Sequence, residues 1–481
     1  MLKHHLTYHH DSARLFARIA HEPWAMLLDS AQQINPATGK PAGEYGHYDI
    51  LVARPMATLV TVGSETTITH VDNQTAESTI SSQENPFALL KNTLKQILNA
   101  RINASEMPKN SLPFTGGALG YFGYDLARYF TQFSSQPNQD AIPDMMVGIY
   151  DWAIVVDHRT QEAVLVSNGL AASSTENWAQ LCDFFTQDFV PKPTEFKAES
   201  APEINFTKAT YANAFNQVQQ YITAGDCYQV NLAQRFSAKV QGDSWVAYQH
   251  LRQISPAPFM AFMQLPYHKK NHKNKQFQVL SASPERFIQV VGDHVETRPI
   301  KGTRPRFLDA LRDEHSANEL LTSDKDKAEN VMIVDLLRND LGKVCQTGSV
   351  KVTKLFQLQS FANVHHLVSI VVGKLKAKLH SVDVLAACFP GGSITGAPKL
   401  RAMQIIDELE PNARELYCGT IGYIGFDGKM DTNIAIRTAI CKDNELIFYA
   451  GGGIVTDSNI DKEYAETLDK AAGFTNLMKH F

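Results

Sequence analysis

Residues 419–453 read GTIGYIGFDGKMDTNIAIRTAICKDNELIFYAGGG, and this stretch decides the fold. Runs rich in β-branched and aromatic residues at 421–426, 434–441 and 446–450 are bounded by glycine, asparagine or aspartate, which is typical of strands. The apolar spacing that follows predicts a closing helix over residues 461–478. Because strands here follow strands, without the regular helices of a parallel βαβ fold, we expect antiparallel sheets.

The same mixture of elements continues towards the N-terminus. Apolar spacing predicts helices at 87–98, 211–224 and 324–339. Short β-branched runs predict strands, and the last two of them are expected to be joined by a tight Ser-Pro-Glu-Arg turn; the strands are 49–53, 57–62, 152–157, 228–233, 279–281 and 287–291. The sequence therefore predicts an α+β fold with large antiparallel sheets.

A composition change suggests a boundary near the middle of the chain. Residues 191–205 hold three prolines, alternating charges and little apolar periodicity, as linkers do. We therefore expect an N-terminal region at 1–190, a linker at 191–205 and a catalytic domain at 206–481.

Length and composition exclude several classes of protein. The chain has 481 residues, a hydrophobic fraction of 44% and a charged fraction of 20%, which is the composition of a globular protein and not of a disordered one. A formal net charge of −5 argues against nucleic acid as the main partner. No apolar run has the length of a membrane span, and no signal peptide is recognisable. The six scattered cysteines are typical of reduced thiols in a cytoplasmic protein.

Several glycine clusters are candidates for phosphate-binding loops. Gly391 and Gly396 have P-loop spacing, but Ala397 stands where that motif requires lysine, so a nucleotide enzyme is disfavoured. The triple glycine at 451–453 follows a predicted strand and leaves backbone N–H groups uncovered by side chains. Such a row of N–H groups suits a carboxylate.

Carboxylates on two predicted helices form a second pattern. Glu463 and Glu466 lie on one face of the last helix, with Lys470 one turn after Glu466. Glu329 lies beside an apolar run on another helix. A solvated surface accounts for such pairs in most helices. Glu329 together with Glu466 would also suit Mg²⁺, although the spacing alone is a weak signal.

Several motifs together carry a family resemblance. The chain resembles the chorismate-utilising enzymes, which comprise anthranilate synthase component I, aminodeoxychorismate synthase component I, isochorismate synthase and salicylate synthase. The segments that carry the resemblance are 225–232 (GDCYQVNL), 283–287 (SPERF), 298–303 (RPIKGT), 328–340 (AENVMIVDLLRND), 389–402, 419–438 and 451–470, and in the N-terminal part 23–30 (PWAMLLDS) and 116–125 (GGALGYFGYD). The resemblance implies the anthranilate synthase component I-like fold, with large antiparallel sheets packed as a sandwich and helices outside.

Two positions distinguish members of the family. The enzymes that add water have a lysine general base at the position of Gln229, and glutamine cannot be that base. Anthranilate synthases typically have alanine at the position of Lys301, in PIAGT, whereas aminodeoxychorismate synthases have lysine. Residues 299–303 read PIKGT. The resemblance therefore implies the aminodeoxychorismate synthase branch, which converts chorismate and ammonia to 4-amino-4-deoxychorismate in 4-aminobenzoate and folate biosynthesis.

The resemblance also implies catalytic roles. Lys301 would attack C2 of chorismate and form a covalent adduct, and Glu285 would be the general acid on the C4 hydroxyl. Mg²⁺ would be bound by Glu329 and Glu466, with Glu463 as an outer ligand through water. Ammonia would then add at C4 and expel Lys301.

Substrate-binding roles follow from the same matching. Arg437 and Tyr417 would hold the enolpyruvyl carboxylate. The amides of Gly451 to Gly453 and the side chain of Lys470 would hold carboxylate oxygens. The remaining residues expected at the substrate are His366, Thr395 and Gln229; a histidine buried in the core is an equal interpretation of His366.

A partner is implied as well, because no glutaminase motif of nucleophilic cysteine with downstream histidine and glutamate is present. The expected source of ammonia is a separate glutamine amidotransferase subunit, which forms a heterodimer with this chain. Leu28, Asp29 and Ser30 resemble the tryptophan pocket of the anthranilate branch, which has glutamate in place of Asp29; a structural strand start is at least as good an interpretation.

Two alternative functions stay open from the sequence. An anthranilate synthase component I would also eliminate pyruvate and aromatise the ring. A non-catalytic chorismate-binding paralogue is the alternative from another class, and the presence of Glu285, Lys301, Glu329, Glu466 and Lys470 argues against it.

Overall fold

A computed structural model describes residues 1–31, 45, 47–72, 76–101, 111–130, 142–269, 272–361 and 364–481. Its strands are β1 (Leu2–Leu6), β2 (Ala25–Asp29), β3 (Tyr48–Val52), β4 (Ala57–Val62), β5 (Glu65–Asp72), β6 (Ala76–Ser82), β7 (Gly117–Phe122), β8 (Met145–Tyr150), β9 (Trp152–Asp157), β10 (Glu162–Ser167), β11 (Phe196–Ala198), β12 (Glu203–Ile204), β13 (Gln229–Gly242), β14 (Phe259–Lys269), β15 (His272–Ser283), β16 (Arg286–Val291), β17 (His294–Thr297), β18 (Ile300–Pro305), β19 (Lys351–Ser360), β20 (Val364–Lys374), β21 (Gly396–Ala397), β22 (Thr420–Gly425), β23 (Met430–Asn433), β24 (Thr438–Lys442) and β25 (Glu445–Ile454).

The helices are α1 (Ala13–Phe16), α2 (Pro86–Arg101), α3 (Ala172–Glu176), α4 (Trp178–Thr186), α5 (Lys208–Thr223), α6 (Ser244–Ile254), α7 (Ala310–Thr322), α8 (Asp324–Val344), α9 (Ser381–Cys388), α10 (Lys399–Leu409) and α11 (Ile460–His480). Short 3₁₀ helices lie at Tyr124–Tyr129 and Gly392–Ile394. Side-chain caps fix several helix starts: Ser323 accepts the Asp326 N–H at α8, and Asn459 accepts two N–H groups at α11. These two helices carry the predicted metal carboxylates.

The strands of the described residues form two large antiparallel sheets. The 13-stranded sheet has the order β1-β10-β9-β3-β2-β14-β15-β24-β25-β13-β11, and β12 and β21 also pair with β13. The 12-stranded sheet has the order β18-β20-β17-β16-β23-β22-β7-β8-β4-β5-β6, and β19 also pairs with β20. The predicted α+β class with large antiparallel sheets is confirmed.

The two sheets pack face to face over a shared apolar core. One buried cluster joins Met26, Ala153 and Val279 of the larger sheet to Leu119 and Ile421 of the smaller one. A second cluster covers the outer face of the larger sheet with α1, α4, α6 and α11, and a third covers the smaller sheet with α2, α8 and α9. Each sheet is therefore covered on both faces, which is the predicted sandwich with helices outside.

Each sheet joins a block of strands from the first part of the chain to a block from the second part. In the larger sheet β2 pairs with β14, and in the smaller sheet β7 pairs with β22. The predicted linker contributes β11 and β12, which pair with β13. The boundaries at residues 190 and 206 stay a prediction.

Two of the predicted connections differ from the structure. The predicted strand 434–441 is wrong for its first half, because the chain leaves the smaller sheet after Asn433 and enters the larger sheet at Thr438. The predicted Ser-Pro-Glu-Arg turn does not close a hairpin, since β15 lies in the larger sheet and β16 in the smaller one. Both segments cross from one sheet to the other.

Among the described residues, no helix is both long and apolar enough to cross a membrane.

Candidate active site

The two crossing segments lie side by side and hold each other through the backbone. The Ile434 N–H donates to the Glu285 carbonyl at 2.9 Å, and the Ser283 hydroxyl donates to the Ile434 carbonyl at 2.6 Å. The Ala282 N–H donates to the Arg437 carbonyl at 2.9 Å. Glu285 and Arg437 are thereby held on paired segments at the junction of the sheets.

A cavity of about 580 Å³ opens at this junction. Its walls come from both crossing segments, β18, β20, β25, α8 and α11. Most of the residues predicted from the sequence line it: Glu285, Lys301, Glu329, His366, Tyr417, Arg437, Gly451, Gly453, Glu463, Glu466 and Lys470.

Two predicted residues lie behind the cavity wall. The Thr395 hydroxyl donates to the Gly391 carbonyl at 3.0 Å and is fully buried. Gln229 is also fully buried, and neither polar atom of its side chain has a hydrogen-bond partner among the residues that the structure describes. Its amide packs against Gly453, where a Cβ would come within 2.9 Å of it. A side chain at position 453 would therefore displace the Gln229 amide.

Glu285 is a buried carboxyl with a raised pKa. Burial raises the pKa of Glu285 to about 7, although a hydrogen bond from the Ser393 hydroxyl at 2.7 Å and the ammonium of Lys301 act to lower it. A carboxyl with such a pKa is partly protonated near neutral pH and can donate a proton.

Lys301 lies in a bulge of β18. Ile300 pairs with Val368 and Thr303 with His366, so Lys301 and Gly302 together oppose one residue of β20. Gly302 has a φ of +81°, and a Cβ there would meet Leu320 at 2.6 Å. Burial is the main cause that lowers the pKa of Lys301; the Glu329 carboxylate opposes it and the Lys470 ammonium adds to it. A lowered pKa increases the fraction of neutral, nucleophilic amine.

Arg437 is an arginine without a counter-ion. Within the described residues its guanidinium has no hydrogen bond or ion pair, and burial lowers its pKa. Its backbone φ is +49°, in the left-handed region. An unpaired charge that is largely removed from water is costly, so an anionic ligand is the partner this group lacks.

Neutral and aromatic groups complete that wall. Burial and the nearby Arg437 lower the pKa of His366 to about 3, so its ring is neutral, and Nδ1 lies 2.9 Å from the Thr303 hydroxyl. The rings of Tyr417 and Tyr449 stack with centroids 5.3 Å apart.

The three predicted metal carboxylates lie on one wall. A Cβ on Gly452 would come within 3.1 Å of Glu463 Oε2 and 3.5 Å of Glu466 Oε1, so these oxygens converge on bare backbone. Glu329 faces the same cavity from α8, and burial raises its pKa. Carboxylate oxygens are the ligands that Mg²⁺ prefers, and the donor set therefore fits this ion.

Ammonium groups lie against these carboxylates. Lys325 Nζ is 3.9 Å from Glu329 Oε1 and 3.6 Å from Glu463 Oε1, and Lys470 Nζ is 2.7 Å from Glu466 Oε1. In the part of the chain that the structure describes, no three His, Cys, Asp or Glu side chains are grouped closely enough to hold a metal ion. A divalent ion would have to replace at least one of these ammonium groups.

The triple glycine lies inside β25 and not after it. Residues 451–453 pair with Ala233, Leu232 and Asn231 of β13. On the other edge, β24 pairs with β25 only as far as Phe448. Backbone groups of alternate residues beyond Phe448 therefore face the cavity side, where Lys470 Nζ already donates to the Gly451 carbonyl at 2.9 Å.

Known proteins resemble this chain in sequence and in fold. A family model described as "chorismate binding enzyme" matches residues 43–476. The chain belongs to this family.

Relatives within the chorismate-binding enzymes align along almost the whole chain. Aminodeoxychorismate synthase component 1 of Salmonella typhimurium is 47% identical over 456 residues, which are 95% of this chain and 93% of the relative. The protein of the same name from Escherichia coli is 45% identical over 467 residues, which are 97% and 96% of the two chains. The crystal structure of anthranilate synthase component I from Streptococcus pneumoniae has a TM-score of 0.71 and 30% identity, and the match covers 92% of this chain and 95% of that one. The predicted anthranilate synthase component I-like fold is confirmed.

Several cavity residues of this chorismate-binding enzyme are not predicted from the sequence. Ser393 contacts Glu285, Lys325 contacts two of the carboxylates, and Asn231 and Tyr449 also line the cavity. Ser393 belongs to the quoted segment 389–402, and Lys325 stands four residues before Glu329 in the printed sequence. The position of Ser393 in a motif was a signal, but neither residue type alone indicated a role.

A second cavity, of about 410 Å³, is lined by Leu28, Asp29 and Ser30 together with Arg286 and Arg298. The carboxylate of Asp29 accepts hydrogen bonds from Arg252 and from the Tyr248 hydroxyl. The tryptophan-pocket interpretation of this region stays a prediction.

Proposed function

We propose that the chain converts chorismate and ammonia to 4-amino-4-deoxychorismate, as the names of its two bacterial relatives indicate for those proteins. The observation that carries the proposal is the cavity at the sheet junction, which combines an unpaired guanidinium, a partly protonated carboxyl and a lysine of lowered pKa. Chorismate is a small dianion with a hydroxyl to be removed, and each of these groups suits one part of it.

Binding of the two carboxylates is assigned to opposite walls. Arg437 and Tyr417 hold the enolpyruvyl carboxylate, the arginine by a charge-assisted pair of hydrogen bonds. Backbone N–H groups of the stretch Gly451 to Gly453 and the Lys470 ammonium hold oxygens of the ring carboxylate. Neutral His366 and the segment around Thr395 border the ring.

Glu329 and Glu466 would hold Mg²⁺, with Glu463 as an outer ligand. When bound, this ion supplies positive charge that grips the ring carboxylate and stabilises negative charge spread over the ring. The exposed position of Glu466, whose side chain is 47% exposed, leaves an entry path for the ion.

Two residues carry the covalent chemistry. The neutral amine of Lys301 forms a bond to C2, the ring double bonds shift, and the C4–O bond breaks. Glu285 gives its proton to the departing hydroxyl, which leaves as water. Ammonia then forms a bond to C4, the bond between C2 and Lys301 breaks, and the Glu285 carboxylate accepts the surplus proton.

The ammonia is assigned to a second chain, a glutamine amidotransferase. Gln229, which cannot act as a base towards water, supports an ammonia-using reaction. The six free, buried cysteines support a reducing compartment, and we propose the cytoplasm.

A product assay tests the proposal. The purified chain is incubated with chorismate, Mg²⁺ and ammonium, without a partner, and the product is identified by mass spectrometry. We expect 4-amino-4-deoxychorismate and no pyruvate, because nothing in the proposed sequence cleaves the enolpyruvyl ether. Anthranilate with pyruvate would assign the chain to the alternative branch, and unchanged chorismate would indicate a non-catalytic protein.

The same incubation without ammonium tests the nucleophile. We expect an intact-protein mass increased by chorismate less one water, because Lys301 displaces the C4 hydroxyl. The matched control is Lys301→Ala, in which the mass increase is absent while chorismate still binds.

A further inference from the structure

The short segment before β21 forms one wall of the cavity and packs closely against its neighbours. A Cβ on Gly391 would meet the Ile434 side chain at 2.6 Å, and one on Gly392 would meet the Leu336 side chain at 2.5 Å. The Arg414 guanidinium donates to the Ile394 carbonyl at 3.0 Å. The residue between these fixed points is Ser393, which lines the cavity.

Ser393 contacts both residues to which the covalent chemistry is assigned. Its hydroxyl donates to Glu285 Oε1 at 2.7 Å. Its backbone carbonyl accepts a long hydrogen bond from Lys301 Nζ at 3.4 Å. One residue therefore fixes the acid through its side chain and the nucleophile through its backbone.

We propose that Ser393 is a positioning residue that makes Glu285 a directed proton donor; this rests on the function proposed above. A neutral carboxyl has one oxygen that accepts hydrogen bonds and one that carries the proton. Glu285 Oε1 accepts the hydrogen bond from the Ser393 hydroxyl, so the proton of the neutral carboxyl is carried by Oε2. The serine thus selects the oxygen from which the proton leaves.

The backbone carbonyl of Ser393 has a separate effect on Lys301. A carbonyl accepts an N–H of a neutral amine without requiring a positive charge, whereas a carboxylate partner would favour the ammonium form. The hydrogen bond orients the amine and leaves its lone pair available for C2. Substitution of the side chain keeps this carbonyl, so it isolates the effect of the hydroxyl on Glu285.

The charges around Glu285 determine the expected pH dependence. Lys301 faces it from β18 and Lys470 from α11, the Ile300 N–H donates to it, and the buried Cys418 thiol lies nearby. The hydrogen bond from Ser393 favours the ionised carboxyl, so its loss raises the pKa of Glu285. Since Glu285 acts in its protonated form, the fall in rate at high pH should then move to higher pH.

The experiment measures formation of the covalent adduct in a single turnover without ammonium, over a range of pH. This readout avoids the titration of ammonia itself. In Ser393→Ala we expect a rate about 10- to 100-fold lower, less than the full contribution of a general acid. We also expect an alkaline limb at higher pH and unchanged chorismate affinity by calorimetry. Ser393→Thr, which keeps the hydroxyl, should return the alkaline limb to its wild-type pH. Ser349→Ala, at a half-buried serine outside the cavity, should match the wild type.

A double-variant cycle gives the decisive comparison. If Ser393 acts through Glu285, then Ser393→Ala costs little further rate in a Glu285→Gln background. Equal losses in both backgrounds, or a loss confined to chorismate affinity, would overturn the proposal. Should Ser393→Ala fail to fold, Ser393→Cys carries the same cycle. A wild-type chain that forms neither adduct nor product instead overturns the proposed function, so the two failures are distinguishable.

Discussion

Lys325 lies beside two of the carboxylates that we propose hold Mg²⁺. Its ammonium is 3.6 Å from Glu463 and 3.9 Å from Glu329, and its side chain is 51% exposed. Removing this competing charge in Lys325→Gln should tighten Mg²⁺ binding. An exposed ion pair contributes up to about 1 kcal/mol, so we expect a Kd up to about fivefold lower. Titration calorimetry of Mg²⁺ into the protein, without substrate, measures it.

The matched control for this prediction is Lys462→Gln. It removes the same charge next to Glu463 in sequence, on an exposed residue of α11. The Kd of this variant should stay near the wild-type value. Weaker Mg²⁺ binding in Lys325→Gln would show that the lysine supports the carboxylates instead of competing for them.

At the scale of residues, the sequence predicted the groups that stand in motifs of distinctive chemistry. Lys301, Glu285 and Arg437 line one cavity, as the resemblance implied. The sequence could not indicate that Gln229 and Thr395 lie behind the wall, because that depends on how closely β13 approaches β25. The residue types of Ser393 and Lys325 also indicated no role, because the contacts of Ser393 with Glu285 and of Lys325 with Glu463 join residues far apart in the chain.

At the scale of elements, Arg414 joins three parts of the site. Its guanidinium pairs with Glu410 after α10, and it donates to the carbonyls of Asn231 in β13 and Ile394 beside β21. Arg414→Met would leave a buried carboxylate and two carbonyls without their partner. We expect a loss of about 3–5 kcal/mol in the free energy of unfolding, measured by denaturant titration.

The control for Arg414 is an arginine in an exposed pair. Arg338 lies 2.7 Å from Asp335, and their side chains are 51% and 60% exposed. Arg338→Met should cost at most about 1 kcal/mol. Equal costs for the two variants would contradict the view that Arg414 holds these elements together.

The elements themselves were predicted well where periodicity is local. The predicted strands 57–62 and 152–157 coincide with β4 and β9, and the helix 461–478 lies within α11. The error at 434–441 has a physical cause. An apolar run looks the same whether it stays in one sheet or crosses to another, and the crossing is determined by partner strands distant in sequence.

At the scale of the molecule, the joining of early and late strands into two shared sheets predicts one cooperative unit. Each part of the chain alone would leave a strand edge unpaired in both sheets, because β2 pairs with β14 and β7 with β22. Calorimetry should therefore give a single unfolding transition with equal calorimetric and van't Hoff enthalpies. Two separate transitions would instead support independent domains with a boundary at 191–205.

Cleavage of the chain gives the matching control. A protease site placed in the exposed residues 191–195 would cut the backbone and leave the strand pairs in place. The two fragments should elute together from a sizing column and separate only in denaturant. Separation in plain buffer would show that the sheets do not depend on each other.

Because of the bulge at Lys301 and Gly302, the direction of the Lys301 side chain depends on how many residues β18 contains as well as on their types. Deleting one residue from a strand turns the side chains beyond it to the opposite face. A relative that lacked only the glycine would keep the lysine in every pairwise alignment, yet would present it in an ordinary strand without the extra residue. In this part of the chain, a one-residue gap in an alignment is therefore a stronger indication that the activity differs than a substitution is.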